Sequence, residues 1–200
     1  MMLANPIDEE KDFKRLDASE FQAEYKWDGI RVQLMVSSKS VSLYSRTGDN
    51  ISSAFPEIVE NTKGDAVIDG ELLVGRNFKP SGFNDLQQRL NRKKASKDLQ
   101  KKFPVFIRAY DILFYKEKDL RKLSLVERRK YLEKFQKENT TNQIDLSTII
   151  NFSTWEELTK YKNNFYDDLN EGVMIKLKNS EYLPGRKKGY WYKWKKNPKL

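Results

Sequence analysis

The chain has 200 residues, 38% of them hydrophobic, which is enough for one substantial domain or two small ones. Its 38 Lys and Arg against 29 Asp and Glu give a net charge of +9, and such a surplus favours polyanionic partners. Because the chain has no Cys and no His, disulfides, thiolate or histidine metal sites and histidine-based acid–base catalysis are excluded. Any metal must have oxygen ligands, as Mg²⁺ prefers, and any nucleophile must be Lys, Asp, Glu, Ser, Thr or Tyr.

Alternating apolar and polar residues and β-prone runs predict the strands. In chain order they are residues 20–25, 31–36, 41–45, 66–74, 105–114, 172–177 and 190–195. Helices are predicted at 55–61, with Pro56 near the start, and at 83–92, whereas the polar residues 93–102 indicate a loop or a helix end. Two Ser-x-x-Glu patterns, Ser124 to Glu127 and Ser153 to Glu156, predict capped helices that run to about residues 136 and 162. The expected fold class is α+β, with mainly antiparallel sheets flanked by helices.

No apolar stretch approaches the roughly 20 residues needed to span a membrane. The N-terminus also lacks the apolar centre of a signal peptide. We therefore expect a soluble, cytoplasmic protein with no membrane partner. As a separate expectation, the protein is a monomer.

The most distinctive local feature is KWDGIR at 26–31, a lysine at a strand end followed by a turn and an arginine. We expect a strand-turn-strand geometry, in which Lys26 and Arg31 approach the same phosphate from neighbouring strands. Asp-Gly is also a favoured hairpin dipeptide, so an ordinary turn with solvated charges explains this segment equally well. The choice between the two interpretations depends on the rest of the chain.

Five later segments place charged or aromatic residues within predicted strands or at their ends. They are SRTG at 45–48, DGEL at 69–72, RAYD at 108–111, NEGVMIK at 170–176 and WYKWK at 191–195. A carboxylate within an apolar strand is costly unless it meets a metal, a cation or a ligand hydroxyl. In the last segment, Lys193 and Lys195 share one strand face and Trp194 lies on the other. Each segment alone also fits a structural role, such as a core aromatic or a strand edge protected by lysines.

Taken in order, KWDGIR, SRTG, DGEL, AYD, EGVMIK and WYKWK resemble the motifs of the covalent nucleotidyltransferase superfamily. They most resemble those of ATP-dependent DNA ligases of the bacterial and archaeal kind, including small viral ones. The first motif is shared with RNA ligases and mRNA capping enzymes, whereas EGVMIK and EYLPGRKKGYWYKWKK are similar to DNA ligases in particular. The resemblance implies an ATP-grasp-like nucleotidyltransferase fold and a role in DNA repair, replication or recombination.

The resemblance also implies the reaction. Lys26 attacks the α-phosphorus of ATP, releases pyrophosphate and holds AMP, which then passes to the 5′-phosphate of nicked duplex DNA before the 3′-hydroxyl displaces it. Mg²⁺ is the implied cofactor, and Mn²⁺ can replace it. Positive neighbours favour the neutral amine that the attack needs and stabilise charge on the phosphates. The implied catalytic residues are Lys26, Arg31, Lys193 and Lys195.

Residue roles follow from the same resemblance. Glu71 contacts the ribose hydroxyls, Tyr110 stacks on adenine, and Glu24 faces the adenine amino group. Lys176 lies by the nucleotide phosphates or base, and Glu171 binds the metal, with Glu71 as a second candidate ligand. The full nucleotide-binding set is Glu24, Lys26, Arg31, Arg46, Glu71, Tyr110, Glu171, Lys176, Lys193 and Lys195. Arg46 and Arg186 are the candidates for nucleic-acid contacts, and Asp28 supports the lysine loop.

The resemblance predicts that residues 1–200 form the adenylation domain and that the family's C-terminal OB-fold domain is absent from this chain. We therefore expect ATP binding and self-adenylation with weak sealing. The 25 residues before Lys26 leave no room for the nicotinamide-binding domain of an NAD-dependent ligase. The first alternative is an RNA ligase or capping-type enzyme, and the second is a non-enzymatic nucleic-acid-binding domain.

Overall fold

The computed structural model describes residues 1–90, 92–164 and 170–196. In chain order the strands are β1 (Met2–Leu3), β2 (Asn5–Pro6), β3 (Phe21–Trp27), β4 (Ile30–Val36), β5 (Val41–Ser45), β6 (Ala66–Arg76), β7 (Lys79–Pro80), β8 (Val105–Tyr115), β9 (Lys118–Asp119), β10 (Ile144–Leu146), β11 (Ile149–Ile150), β12 (Asn170–Leu177), β13 (Gly185–Arg186) and β14 (Trp191–Lys195). The helices are α1 (Glu9–Arg15), α2 (Pro56–Asn61), α3 (Phe83–Leu90), α4 (Lys97–Lys102), α5 (Leu125–Glu138) and α6 (Trp155–Asn164), and short 3-10 helices lie at Ala18–Glu20 and Ser52–Ala54. Among the described residues, the helices are all too short or too polar to cross a membrane.

The chain divides into two compact units, each built on its own sheet. Unit 1 comprises Met1–Trp27, Lys122–Val126 and Ser147–Leu200, and unit 2 comprises Asp28–Arg121 and Glu127–Leu146. The first passage from unit 1 to unit 2 therefore falls within the KWDGIR segment, directly after Trp27.

The sheet of unit 1 has the strand order β11-β3-β12-β14-β2, and β3, β12 and β14 are antiparallel neighbours. One face of this sheet is apolar because alternate residues of β3, β12 and β14 are apolar. That face packs on α6 and on residues beside it. The buried cluster consists of Ala18, Phe21, Ala23, Ile150, Phe152, Trp155, Leu158, Val173, Ile175, Tyr192 and Trp194.

The sheet of unit 2 has the strand order β10-β8-β6-β4-β5, with β7 paired to β6 and β9 to β8. Its longest strands, β6 and β8, come from the apolar runs AVIDGELLV and VFIRAYDILF. A fully buried ion pair joins β8 to α5, with Arg128 Nε donating to Asp111 Oδ1 at 2.8 Å. Burial of both charged groups is tolerated because each satisfies the other.

The predicted fold class and strand positions are confirmed, but three local predictions are wrong. Residues 97–102 form a separate helix capped by Ser96 rather than a helix end. The second capping box begins one residue later, because Thr154 Oγ1 accepts from the Glu157 amide at 3.2 Å and the Ser153 amide donates to Glu157 Oε2 at 2.8 Å. The third error concerns the turn at 28–29.

Strands β3 and β4 are not a hairpin, although Asp-Gly favours one. Strand β3 pairs with β11 and β12, whereas β4 pairs with β5 and β6 in the other sheet. Gly29 is required by close packing, since a Cβ there would lie 2.5 Å from the Leu72 carbonyl oxygen. Tertiary pairing of the apolar residues of β4 with β5 and β6 has overridden the local turn preference.

Candidate active site

The second face of the unit 1 sheet carries the charged residues that the sequence singles out. In the strand register, Gly172 of β12 lies between Lys26 of β3 and Lys195 of β14. Met174, two residues on, lies between Glu24 and Lys193. Because paired residues in neighbouring strands point to the same side, these charged side chains share one face, opposite the aromatic core.

Lys26 lies in a cluster with Glu171 and Lys195. Its Nζ contacts Glu171 Oε2 directly, and Glu171 Oε1 lies 3.9 Å from Lys195 Nζ. The Lys26 and Glu171 side chains are 21% and 28% exposed, so both remain accessible to a ligand. The predicted nucleophile, Lys26, thus contacts a residue that is 145 positions away in the chain, Glu171.

The backbone at Gly172 determines where Glu171 points. Gly172 has φ +142°, and a Cβ there would lie 2.1 Å from the carbonyl oxygen of Trp194. The pairing of β12 with β3 is irregular at this point, and the Gly172 amide donates to Asn170 Oδ1 at 2.8 Å. Only glycine fits this close approach, which explains the Glu-Gly order in the EGVMIK segment.

Lys176 and Glu24 form a buried ion pair on the same face. Each side chain is 2% exposed, and Lys176 Nζ contacts Glu24 Oε2 and lies 4.6 Å from the centre of the Trp191 ring. Glu24 Oε1 is buried without a hydrogen-bond partner among the described residues. A buried carboxylate oxygen of this kind is costly unless a ligand donates to it, which fits the predicted contact between Glu24 and an amino group.

On the apolar face, Trp194 separates the two lysines of β14. Its Nε1 donates to Glu9 Oε1 at 2.8 Å, and Lys162 Nζ lies 4.1 Å from its ring centre. Burial lowers the pKa of Lys162, and the charge of Glu9 opposes that shift. Anchoring of Trp194 fixes the direction in which Lys193 and Lys195 leave the strand.

Tyr25, beside the predicted nucleophile, also faces the apolar side. Burial, followed by the neighbouring Tyr161, raises the pKa of Tyr25. Its ring lies 6.3 Å from that of Trp27, in an edge-on arrangement. These contacts hold the end of β3 from which Lys26 projects.

In unit 2, one carboxylate organises two of the predicted nucleotide-binding residues. Asp69 is fully buried and accepts hydrogen bonds from Arg31 Nε at 3.1 Å and from Arg31 Nη2 at 2.6 Å. The Tyr110 hydroxyl also donates to Asp69 Oδ1, at 3.2 Å, and the Arg31 guanidinium lies 5.8 Å from the Tyr110 ring centre. Arg31 is also the register partner of Glu71. No role was predicted for Asp69, although a carboxylate within an apolar strand is the sequence signal for one.

The remaining predicted residues are exposed or half-buried. Arg46 is exposed in the turn that the Gly48 amide closes on the Ser45 carbonyl oxygen at 3.0 Å. Arg186 is exposed on β13, where it pairs in register with Leu3 of β1. Asp28 is half-buried and belongs to unit 2, whereas Lys26 belongs to unit 1.

The donor set fits a magnesium–nucleotide complex rather than a metal held by protein alone. Among the described residues there is no group of three or more carboxylates that could hold a metal ion. Mg²⁺ is commonly bound through one or two carboxylates together with substrate phosphates. Glu171 offers one carboxylate beside the cationic Lys26 and Lys195, which suit the phosphates.

Comparisons of sequence and of structure both find DNA ligases. Curated relatives include the DNA ligases of Methanococcus aeolicus, 34% identical over 87% of this chain and 32% of the relative, and of Archaeoglobus fulgidus, 35% identical over 86% and 31%. The chain therefore spans about a third of the length of these relatives. Among solved structures, a mycobacterial DNA ligase D complexed with ATP and MES superposes with a TM-score of 0.73 at 25% identity, covering 97% of this chain and 59% of that one. The model of the family described as "ATP dependent DNA ligase domain" matches residues 1–195, and the chain belongs to this family.

Proposed function

We propose that this chain catalyses the transfer of AMP from ATP to Lys26, as the adenylation domain of an ATP-dependent DNA ligase. The observation that carries the proposal is the cluster of Lys26, Glu171 and Lys195 on the charged face of the unit 1 sheet. Lys193 lies on the same face, one register step from Lys195. A nucleophilic amine beside phosphate-binding cations and a carboxylate is the arrangement that lysine adenylation needs.

In the proposed step, Lys26 Nζ attacks the α-phosphorus of ATP. An ammonium group has no lone pair, so Lys26 must first lose a proton to solvent and react as the neutral amine. The new N–P bond forms as the P–O bond to pyrophosphate breaks, and the nitrogen then loses one further proton to solvent, which leaves the phosphoramidate. Lys193 and Lys195 stabilise the negative charge that develops on the α-phosphate and the leaving pyrophosphate.

Glu171 would hold Mg²⁺, with Glu71 as the second candidate ligand, and the ion would neutralise phosphate charge when bound. Mn²⁺ has the same preference for oxygen ligands. This role gives Glu171 two alternative partners, the Lys26 amine and the metal.

The base and sugar contacts are assigned to Glu24, Lys176, Tyr110 and Glu71. The buried Glu24 oxygen without a donor supports a contact with the adenine amino group. Lys176 lies on the nucleotide side of the sheet and holds Glu24 in place. Tyr110 stacks on adenine, Glu71 binds the ribose hydroxyls, and the cations Arg31 and Arg46 contact the nucleotide.

We further propose nicked duplex DNA as the acceptor, contacted by Arg46 and Arg186, in a monomeric cytoplasmic protein. Both arginines are exposed, as residues that contact DNA phosphates must be. The names of the curated relatives, DNA ligase, support this acceptor.

Incubation with ATP and Mg²⁺ followed by intact-mass measurement tests the proposal. The chain should gain the mass of one AMP, and Lys26→Ala should gain none. Lys39→Ala, in the exposed loop between β4 and β5, is the matched control and should label like the parent. Adenylation of the Lys26→Ala protein at the parent's rate would refute the assignment of the nucleophile.

The competing function is an RNA ligase or capping-type nucleotidyltransferase, which shares lysyl-nucleotide chemistry. Labelling with GTP but not ATP would favour the capping type and would exclude the ligase. A preference for nicked RNA over nicked DNA in the second step, measured by transfer of AMP from the adenylated protein to the 5′-phosphate, would favour the RNA ligase.

A further inference from the structure

An exposed basic segment of unit 2 lies outside every predicted nucleotide contact. Six of the eleven residues 92–102 are Lys or Arg and only Asp98 is acidic, so this segment carries more than half of the net charge of +9. All six cations are exposed. We call Arg92, Lys93, Lys94, Lys97, Lys101 and Lys102 the basic surface.

The backbone below the basic surface is firmly held. Arg89, which is fully buried, donates from Nη1 to the Phe103 carbonyl oxygen at 2.7 Å and to Glu57 Oε1 at 2.6 Å, so it ties both ends of the segment to α2. Ser96 caps α4 by accepting from the Leu99 amide at 3.2 Å. Gln100 closes the loop onto the Ala95 carbonyl oxygen at 3.0 Å. The lysines therefore project from a fixed scaffold and not from a loose tail.

The charges of the basic surface are not neutralised within the described chain. None of its six cations forms an ion pair with a described residue, and Lys97 and Lys101 are one helical turn apart. Like charges at this spacing repel each other. Such crowding is relieved when a polyanion supplies the missing negative charge and releases its counterions.

The residue types of the basic surface indicate which kind of polyanion it binds. Proteins that bind single strands place aromatic side chains where bases can stack, and residues 92–102 contain no aromatic residue. Lysines without aromatics instead contact phosphates, which positions a duplex without reading its sequence. We propose that the basic surface binds the phosphate backbone of duplex DNA, away from the residues assigned to the nucleotide.

This inference rests on the proposed DNA ligase function, but it is tested separately. Binding of a fluorescent nicked duplex is measured by anisotropy between about 50 and 200 mM salt, where each neutralised phosphate contributes about −0.9 to the slope of log K against log salt. Lys93→Gln, Lys94→Gln and Lys97→Gln are combined in one variant. If all three contact phosphate, its slope should be shallower by roughly 2 to 3.

A charge-matched control removes three exposed lysines of unit 2 outside this surface, as Lys63→Gln, Lys130→Gln and Lys137→Gln. Its slope should differ from the parent's by less than about 1. Self-adenylation with ATP should be equal in the parent and both variants, which shows that the fold and nucleotide site are intact. Equal slopes for the two variants would overturn the inference, whereas absence of self-adenylation in the parent would instead refute the proposed function.

Discussion

Replacing the buried Asp69 tests whether one carboxylate positions two of the proposed nucleotide-binding residues. Asp69→Asn keeps the shape of the side chain but removes the negative charge to which two Arg31 nitrogens donate. Breaking a buried ion pair costs about 3–5 kcal/mol, and we expect the lower part of that range because the Arg31 side chain is still 16% exposed. The expected loss is therefore about 3 kcal/mol in the free energy of unfolding.

The effect on activity follows from the orientation of Arg31 and Tyr110. Without Asp69, Arg31 loses the bidentate contact that fixes its guanidinium, and the Tyr110 hydroxyl loses the carboxylate acceptor. Loss of one oriented charge donor typically slows catalysis by roughly 10²–10³-fold. We expect the rate of self-adenylation to fall by about that factor, with a higher apparent KM for ATP.

Urea unfolding and the rate of AMP incorporation measure the two effects. Asp65→Asn, at an exposed position just before β6, is the matched control and should leave both unchanged. A double-mutant cycle with Arg31→Ala and Asp69→Ala should give a coupling energy above about 1 kcal/mol. Additive effects in this cycle, or an Asp69→Asn protein that labels at the parent's rate, would refute the positioning role.

Three further predictions concern unit 1. Glu171→Gln removes the charge proposed to hold the metal, so the rate of adenylation at a fixed Mg²⁺ concentration should fall at least roughly tenfold and recover partly as that concentration is raised. A Mg²⁺ titration of the variant that matches the parent's would contradict this. Gly172→Ala should lower the free energy of unfolding, measured in urea, by more than about 2 kcal/mol because its Cβ would overlap the Trp194 carbonyl. Gly189→Ala is the control and should lower it less, because Gly189 also has a positive φ of +84° but no neighbour within 4 Å. Burial lowers the pKa of Lys162, so just below the usual lysine pKa of about 10.4 the unfolded chain binds more protons than the folded one, and the free energy of unfolding should rise with pH. Lys162→Met should abolish that rise, and parallel stability profiles against pH for the parent and the variant would contradict the prediction.

Local patterns were enough to predict the strands and the division of β14 into two faces. Period-2 alternation is a property of neighbouring residues, so Lys193 and Lys195 could be placed on one face from the sequence. Their closeness to Lys26 depends on pairing between β3, β12 and β14, which are far apart in the chain. Only the resemblance between motifs, and not periodicity, indicated that these strands would meet.

The wrong prediction at the turn and the side-chain partners that were missed have the same physical origin. The Asp28-Gly29 pair favours a hairpin locally, but β4 has better apolar partners in β5 and β6, and the chain leaves one sheet for the other. The buried pair of Lys176 and Glu24, and the role of Asp69, also depend on contacts between strands. A sequence shows that a charge in an apolar strand needs a partner, but it does not show which residue that partner is.

The two faces of the unit 1 sheet have a consequence for protein engineering. Residues of β12 alternate between the core, as Val173 and Ile175 do, and the charged face, as Met174 does. Randomising Met174 changes the surface beside Glu24 and Lys193 without removing an aromatic core contact. A mutant library confined to that side of the strands can therefore vary the proposed nucleotide site while the hydrophobic packing of the opposite face is kept.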